Sequence, residues 1–261
     1  MDNTAVNALR VLVVDDNEVN REFLRAGLAT MVAEITAAEN GPSAVDLCRE
    51  HDFDVILMDL HMPEMDGLAA FESIRQPGMA AQAARFIILT ADARTEERQR
   101  ILEHGVDDCL TKPISIPQLA RALIDPADLP ADANAMATDE EPASRLIVPE
   151  QAQAVANGDQ ALVERMSRLF GEELEHRLPE LDTMISQRAF DQAAALLHQW
   201  RGATGFAGAA RLHQACGRLR RRLLDCTEET TDSDTSAGYG AAYVDFLRTA
   251  HATRLALLQE S

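Results

Sequence analysis

Positive charge is scarce in this sequence, and lysine is scarcer still. The 261 residues carry 24 basic against 43 acidic side chains, a formal net charge of −19. Duplex nucleic acid is bound through a basic face, so this balance argues against nucleic acid as a direct partner. Lys112 is the single lysine; every other basic residue is arginine. A lone lysine in a chain that otherwise uses arginine demands a specific role. Cysteine is sparse too. Cys48, Cys109, Cys216 and Cys226 form no metal-type pair and are expected to be reduced thiols, as in the cytoplasm. No apolar run approaches the ~18 residues of a membrane span. The N-terminus lacks the basic and apolar stretches of a signal peptide. A cytoplasmic chain without membrane insertion is therefore expected. Neither a Gly-x-x-x-x-Gly-Lys-Ser/Thr loop nor an obvious kinase nucleotide box occurs, so no ATP-binding kinase domain is expected.

The length suits two domains at the usual ~100–200 residues each. Residues 126–148 separate them. This stretch is rich in alanine, holds Pro126, Pro130 and Pro142 and the acidic run Asp139-Glu140-Glu141, and reads as a flexible tether. A flexible chain of that length has an r.m.s. reach of roughly 25–30 Å. The expected organisation is a domain over 1–125, a linker over 126–148 and a second domain over 149–261.

In the first domain, short apolar runs alternate with helical periodicity. Arg10–Val14 is a strand followed at once by Asp15-Asp16. A second strand lies near 33–37, and Val55–Met58 is a buried strand ending at Asp59. Arg85–Leu89 is a strand ending at Thr90, and residues 107–110 form a short fifth strand before Lys112-Pro113. Five strands alternating with five helices predict an α/β doubly wound parallel sheet. In such a sheet the carboxyl ends of the strands form the binding crevice. Asp15, Asp16, Asp59, Thr90 and Lys112 each follow an apolar run, which predicts that all five face that crevice.

Three clustered carboxylates repel one another unless a cation intervenes. Oxygen-only donors suit a hard cation such as Mg²⁺. Asp59 reads as a nucleophile that accepts a phosphoryl group, with Lys112 supplying a point positive charge and Thr90 a hydroxyl to the phosphoryl oxygens.

Residues 8–124 resemble the receiver domain of two-component response regulators, through VLVVDDNEVN, VILMDLHMPEMDG, IILTA and CLTKP. The resemblance implies a flavodoxin-like fold, Mg²⁺ held by Asp15, Asp16, Asp59 and the backbone carbonyl of His61, and Asp59 as phosphoryl acceptor. It also places the side chains of His61 and Asp92 beside the phosphate, where they would tune its lifetime against water. The Asp-Asp-Asn-x-x-Asn form looks most like receivers attached to hybrid sensor kinases. Receivers usually carry Tyr or Phe three residues before the lysine; Cys109 stands there, which puts an aromatic output switch in doubt.

Residues 149–261 show helical periodicity and no convincing strand, predicting an all-α four-helix bundle with a short accessory helix. A helix from Asp159 onward is expected to kink or restart at Pro179, Asp191 to cap the next helix, and 225–240 to form a polar loop. In the helix around His198, residues Ala193, Leu196, Leu197, Trp200, Ala203 and Thr204 share one side. His198, Arg201, Gly202 and Gly205 share the opposite side, which predicts a solvent-facing imidazole with two glycines leaving it open to a large partner. Arg201, one turn on, could hold an anion. His51, His104, His176, His213 and His251 lack such surroundings and are assigned no role. The segment resembles the histidine-containing phosphotransfer (Hpt) domain, through His198, Gly202, Gly205 and Gly208, with Arg201 at the lysine position.

Together these features predict a phosphorelay intermediate rather than a conventional enzyme. Asp59 would accept a phosphoryl group from a sensor histidine kinase in a Mg²⁺-dependent step, and His198 would relay it to a downstream receiver. Two alternatives stand beside this. The chain could be the C-terminal receiver–Hpt portion of a hybrid histidine kinase, although Met1 lies only eight residues before Leu9. It could also be a non-transferring interaction module that docks on a kinase.

Overall fold

A computed structural model of the chain describes residues 8–91, 94–123, 145–228 and 235–259. The chain forms two compact units, Met1–Asp139 and Glu140–Ser261, each described here by itself.

The first unit is built on five parallel strands: β1 (Arg10–Val14), β2 (Glu34–Ala38), β3 (Val55–Asp59), β4 (Arg85–Thr90) and β5 (Asp108–Thr111). Their order in the sheet is β2-β1-β3-β4-β5, the flavodoxin-like order. All five residues of β3 are buried, as befits a central strand covered on both faces. In register, Val14 lies beside Met58 and Asp59 beside Leu89, so β1, β3 and β4 end together.

The intervening helices begin where side chains satisfy their first N–H groups. α1 (Glu18–Leu28) is capped by Asn17, α2 (Gly41–Glu50) by Asn40, and α3 (Gly67–Ile74) by Asp66. α4 is Thr95–Glu103, and α5 (Ile116–Ala122) starts in a capping box between Ser115 and Gln118. Gly67 is required by close approach: a Cβ there would sit 2.5 Å from the Asp59 carbonyl oxygen. The start of α3 is thereby drawn against the end of β3.

The second unit is all-α. A short α6 (Pro149–Val155) precedes four long helices, α7 (Gln160–Ser186), α8 (Phe190–Thr204), α9 (Ala210–Glu228) and α10 (Thr235–Gln259). They pack as a bundle around a core that includes Phe170, Trp200, Leu212, Leu219 and Phe246, with Trp200 stacked on Phe246 at 6.0 Å. Three local expectations are corrected. α7 does not restart at Pro179 but continues to Ser186; Leu174, Leu178 and Leu181 are all buried, and their packing outweighs the lost backbone bond. Asp191 does not cap α8; Ala189 stands at that position, and Asp191 lies in the first turn, where its charge still favours the helix dipole. The polar loop expected over 225–240 is much shorter, since α9 continues to Glu228 and α10 begins at Thr235; once packed, a helix propagates cheaply through polar residues. The expected linker over 126–148 lies outside the described residues up to 144.

Candidate functional site

Asp15 and Asp59 are the least accessible carboxylates one could place at a strand end, at 0% and 3% exposure. Asp15 is fully engaged. Its Oδ1 accepts from the backbone N–H of Asn17 and from the side-chain amide of Asn20, both at 3.0 Å. Its Oδ2 meets Lys112 Nζ at 2.6 Å. Arg21 donates to the Asp15 carbonyl at 2.7 Å. The same Lys112 ammonium lies 2.9 Å from Asp59 Oδ1, so one buried cation bridges two carboxylates. Asp16 completes the cluster: carboxylate oxygens of Asp15, Asp16 and Asp59 lie within 4.8 Å of one another.

The electrostatics follow from burial and crowding. Burial pushes the Asp59 carboxyl up to about 7; Lys112 opposes this and the Asp15 and Asp16 charges add to it. Burial alone would lower the Lys112 pKa, but the Asp15 and Asp59 carboxylates outweigh it and hold the ammonium charged above its ordinary range. Three carboxylates against one ammonium leave about two negative charges uncompensated when all are ionised. A hard divalent cation supplies that charge, and the donors are all oxygens; the residues present fit Mg²⁺.

Thr90 is buried at the end of β4, and the Lys112 N–H donates to its carbonyl at 2.7 Å, which closes β5 onto β4 beside the cluster. His61 lies exposed two residues beyond Asp59. Asp92 lies outside the described residues. Cys109 is buried in β5, and burial pushes its thiol up to about 11.

In the second unit His198 is partly exposed near the middle of α8. Gly202 and Gly205 are buried, which corrects the expectation that they lie on an open face. α9 packs along α8. The Arg201 guanidinium reaches His213 of α9, with Nη2 3.3 Å from Nε2. A Cβ at Gly217 of α9 would sit 3.6 Å from Arg201 Nε. The Arg201 side chain thus lies against α9 at Gly217 and His213. Gly208 has φ +62°, and a Cβ there would meet the Val148 carbonyl oxygen at 2.5 Å, so only glycine lets the α8–α9 turn accept the chain entering α6.

Family models match two parts of the chain: the response regulator receiver domain over residues 11–124 and the Hpt domain over residues 165–256. The chain joins a receiver domain to an Hpt domain. Sensor protein GacS of Pseudomonas syringae pv. syringae is 32% identical over 236 residues, which cover 87% of this chain and 26% of GacS. The signal transduction histidine-protein kinase BarA of Escherichia coli K12 is 28% identical, over 85% of this chain and 25% of BarA. The chain therefore spans about a quarter of the length of these relatives. Among solved structures, the receiver domain of sensor histidine kinase PA1611 from Pseudomonas aeruginosa PAO1, with magnesium in its active-site cleft, is 33% identical with a TM-score of 0.40, covering 44% of this chain and 94% of that one.

Within the receiver domain the structure brings Asp15, Asp16, Asp59 and Lys112 together. Asn17 and Asn20 belong with them as supports of Asp15. Their spacing of three on a helix start was the available signal. Within the Hpt domain, His213 is the residue that sequence reasoning passed over. It sits twelve positions after Arg201, across a turn and on another helix, and nothing in local periodicity ties the two.

Proposed function

We propose that this chain is a two-component phosphorelay intermediate. The observation that carries the reading is the buried Asp59 carboxylate, 2.9 Å from the only lysine and within 4.8 Å of two further aspartates, in a chain that also holds an Hpt domain. A receiver paired with an Hpt domain, in a chain similar to GacS and BarA, supports a role in histidine-kinase signalling.

An oxygen of Asp59 attacks the phosphorus of a phosphohistidine on a sensor kinase. The O–P bond forms as the P–N bond breaks, and the donor imidazole leaves with the electron pair. Lys112 faces the phosphoryl oxygens as a point charge, and the Thr90 hydroxyl donates to another. Asp15, Asp16, Asp59 and the His61 carbonyl would hold Mg²⁺, which when bound neutralises charge on the phosphoryl group and its acceptor. Onward transfer reverses the chemistry. A ring nitrogen of His198 attacks the acyl phosphate, the O–P bond to Asp59 breaks, and the carboxylate leaves. Arg201 offers a cation to the phosphoryl group on His198. A downstream receiver then takes it. His61 and Asp92 tune hydrolysis of the acyl phosphate.

The match of 87% of this chain to about a quarter of GacS favours a second reading, in which the same two sites form the C-terminal part of a hybrid kinase. Both readings share one test. A labelled sensor kinase with Mg²⁺ is expected to place base-labile label on Asp59 and acid-labile label on His198. Asp59→Asn should abolish both, because label reaches His198 through Asp59, and His198→Gln only the second. Acid-labile label persisting in His198→Gln would refute the relay role of that residue.

A further inference from the structure

Arg201 is a cation half-buried beside α9. Among the described residues no carboxylate pairs with its guanidinium, and its Nε is buried with no hydrogen-bond partner. Its charge is felt in the core, where it pulls down the Cys216 thiol that burial raises to about 12. Leaving a half-buried guanidinium unpaired is unfavourable, so its surroundings should show what holds it.

The holder is a neutral base. Arg201 has only donors, so His213 Nε2, 3.3 Å from Nη2, must accept. The proton of His213 then sits on Nδ1. That atom lies 3.0 Å from Thr204 Oγ1 and 3.2 Å from the Arg201 carbonyl, both able to accept. The Thr204 hydroxyl in turn donates to the Arg201 carbonyl at 2.8 Å. These contacts agree with one tautomer, the proton on Nδ1. Thr204 is buried, which fixes one side of it. A histidine that accepts from an arginine is also neutral, since a protonated ring has no acceptor to offer.

We infer that His213 is a positioning residue of the Hpt site, fixing the Arg201 guanidinium one helical turn from His198 so that its remaining donors receive a phosphoryl anion. The inference rests on the relay reading of His198. Residues three apart on a helix are surface neighbours, which places Arg201 beside the imidazole. A free arginine side chain carries about 2 kcal/mol of rotamer entropy. Anchoring one Nη on α9 removes most of that motion before phosphate arrives. A neutral anchor does so without cancelling the charge; a carboxylate at position 213 would hold the guanidinium as firmly and neutralise it.

The test uses the full chain carrying Asp59→Asn and phosphoramidate, an N-phosphoryl donor, so that no label reaches His198 through Asp59. His213→Leu is expected to slow labelling of His198 about tenfold, the worth of one hydrogen bond to a charged group. His213→Gln keeps a neutral acceptor and should restore most of the rate. In an Arg201→Gln background, His213→Leu should have no further effect. A loss of equal size with and without Arg201 would mean a purely structural role and overturn the inference, as would wild-type labelling in His213→Leu. Nitrogen NMR of the wild-type protein gives an independent readout that survives a misfolded variant. His213 should be neutral at pH 7 with its proton on Nδ1, and a proton on Nε2 would overturn the pair. If the wild-type chain takes no label on His198, the relay reading falls, while the tautomer still decides the Arg201–His213 geometry.

Discussion

At the scale of the residue, the receiver site is a balance of like charges held by one ammonium. Lys112 lies 2.6 Å from Asp15 and 2.9 Å from Asp59, and the Asp59 carboxyl is still pushed from 3.8 up to about 7. A carboxyl whose folded pKa is raised keeps a proton that the unfolded chain gives up. Stability contributed by that group therefore falls as pH rises from about 4 to about 7 and stays low above it. Asp59→Asn removes the charge. In chelator, urea unfolding of the receiver transition should show the variant more stable than wild type, with a gain that is small near pH 4 and on the order of 3 kcal/mol at pH 8. Mg²⁺ should shrink the gain, because it relieves the same repulsion in the wild-type protein. A gain that did not change with pH would count against crowded charge as the cause.

At the scale of the element, glycines decide how close two segments come. Gly67 draws α3 onto the end of β3, and Gly208 lets the turn between α8 and α9 meet Val148, whose N–H donates to the Gly208 carbonyl at 2.8 Å. Gly208→Ala meets two obstacles. A left-handed backbone disfavours alanine by about 1–2 kcal/mol, and the new methyl would press on the Val148 carbonyl. The expected outcome is a lower midpoint for the Hpt transition, by roughly 5–10 °C, together with faster proteolysis near residues 145–156. Cleavage and melting as in wild type would show that α6 docks independently of this turn. Elements also set what could be read beforehand. The strand ends at Asp15, Asp59 and Thr90 were legible because a buried parallel strand is a short apolar run with an abrupt end. Pro179 does not end its helix because a propensity of a few kcal/mol yields to the packing of Leu174, Leu178 and Leu181.

At the scale of the whole molecule, the two proposed phosphoryl-accepting sites, Asp59 and His198, share one chain. The composition of residues 126–148 predicts a tether reaching roughly 25–30 Å, and such a tether would give an effective concentration on the order of millimolar, enough to favour even a weak encounter. The acidity of the chain opposes docking, but Arg201 and a bound Mg²⁺ would put positive charge where transfer occurs. With a small acyl-phosphate donor and Mg²⁺, which label Asp59 alone, the full chain is expected to acquire acid-labile label on His198 at a rate independent of its concentration. A rate that rises with concentration, or label on His198 only after a separate receiver is added, would show that transfer runs between molecules.

The sequence by itself determined the alternation of five strands and five helices, the strand-end carboxylates and lone lysine, and the helix that carries His198. These are written in short-range patterns: apolar runs of strand length, helical spacing, capping residues such as Asn17, Asp66 and Ser115. Tertiary structure alone decided which partners those residues meet. That Lys112 Nζ bridges Asp15 and Asp59, 97 and 53 positions away, depends on strand order in the sheet. That Gly202 and Gly205 are buried, and that His213 rather than an acidic residue meets Arg201, depends on which helix packs against α8. A helical wheel shows which side of a helix is apolar; it carries no information about which residues of a neighbouring helix meet the other side.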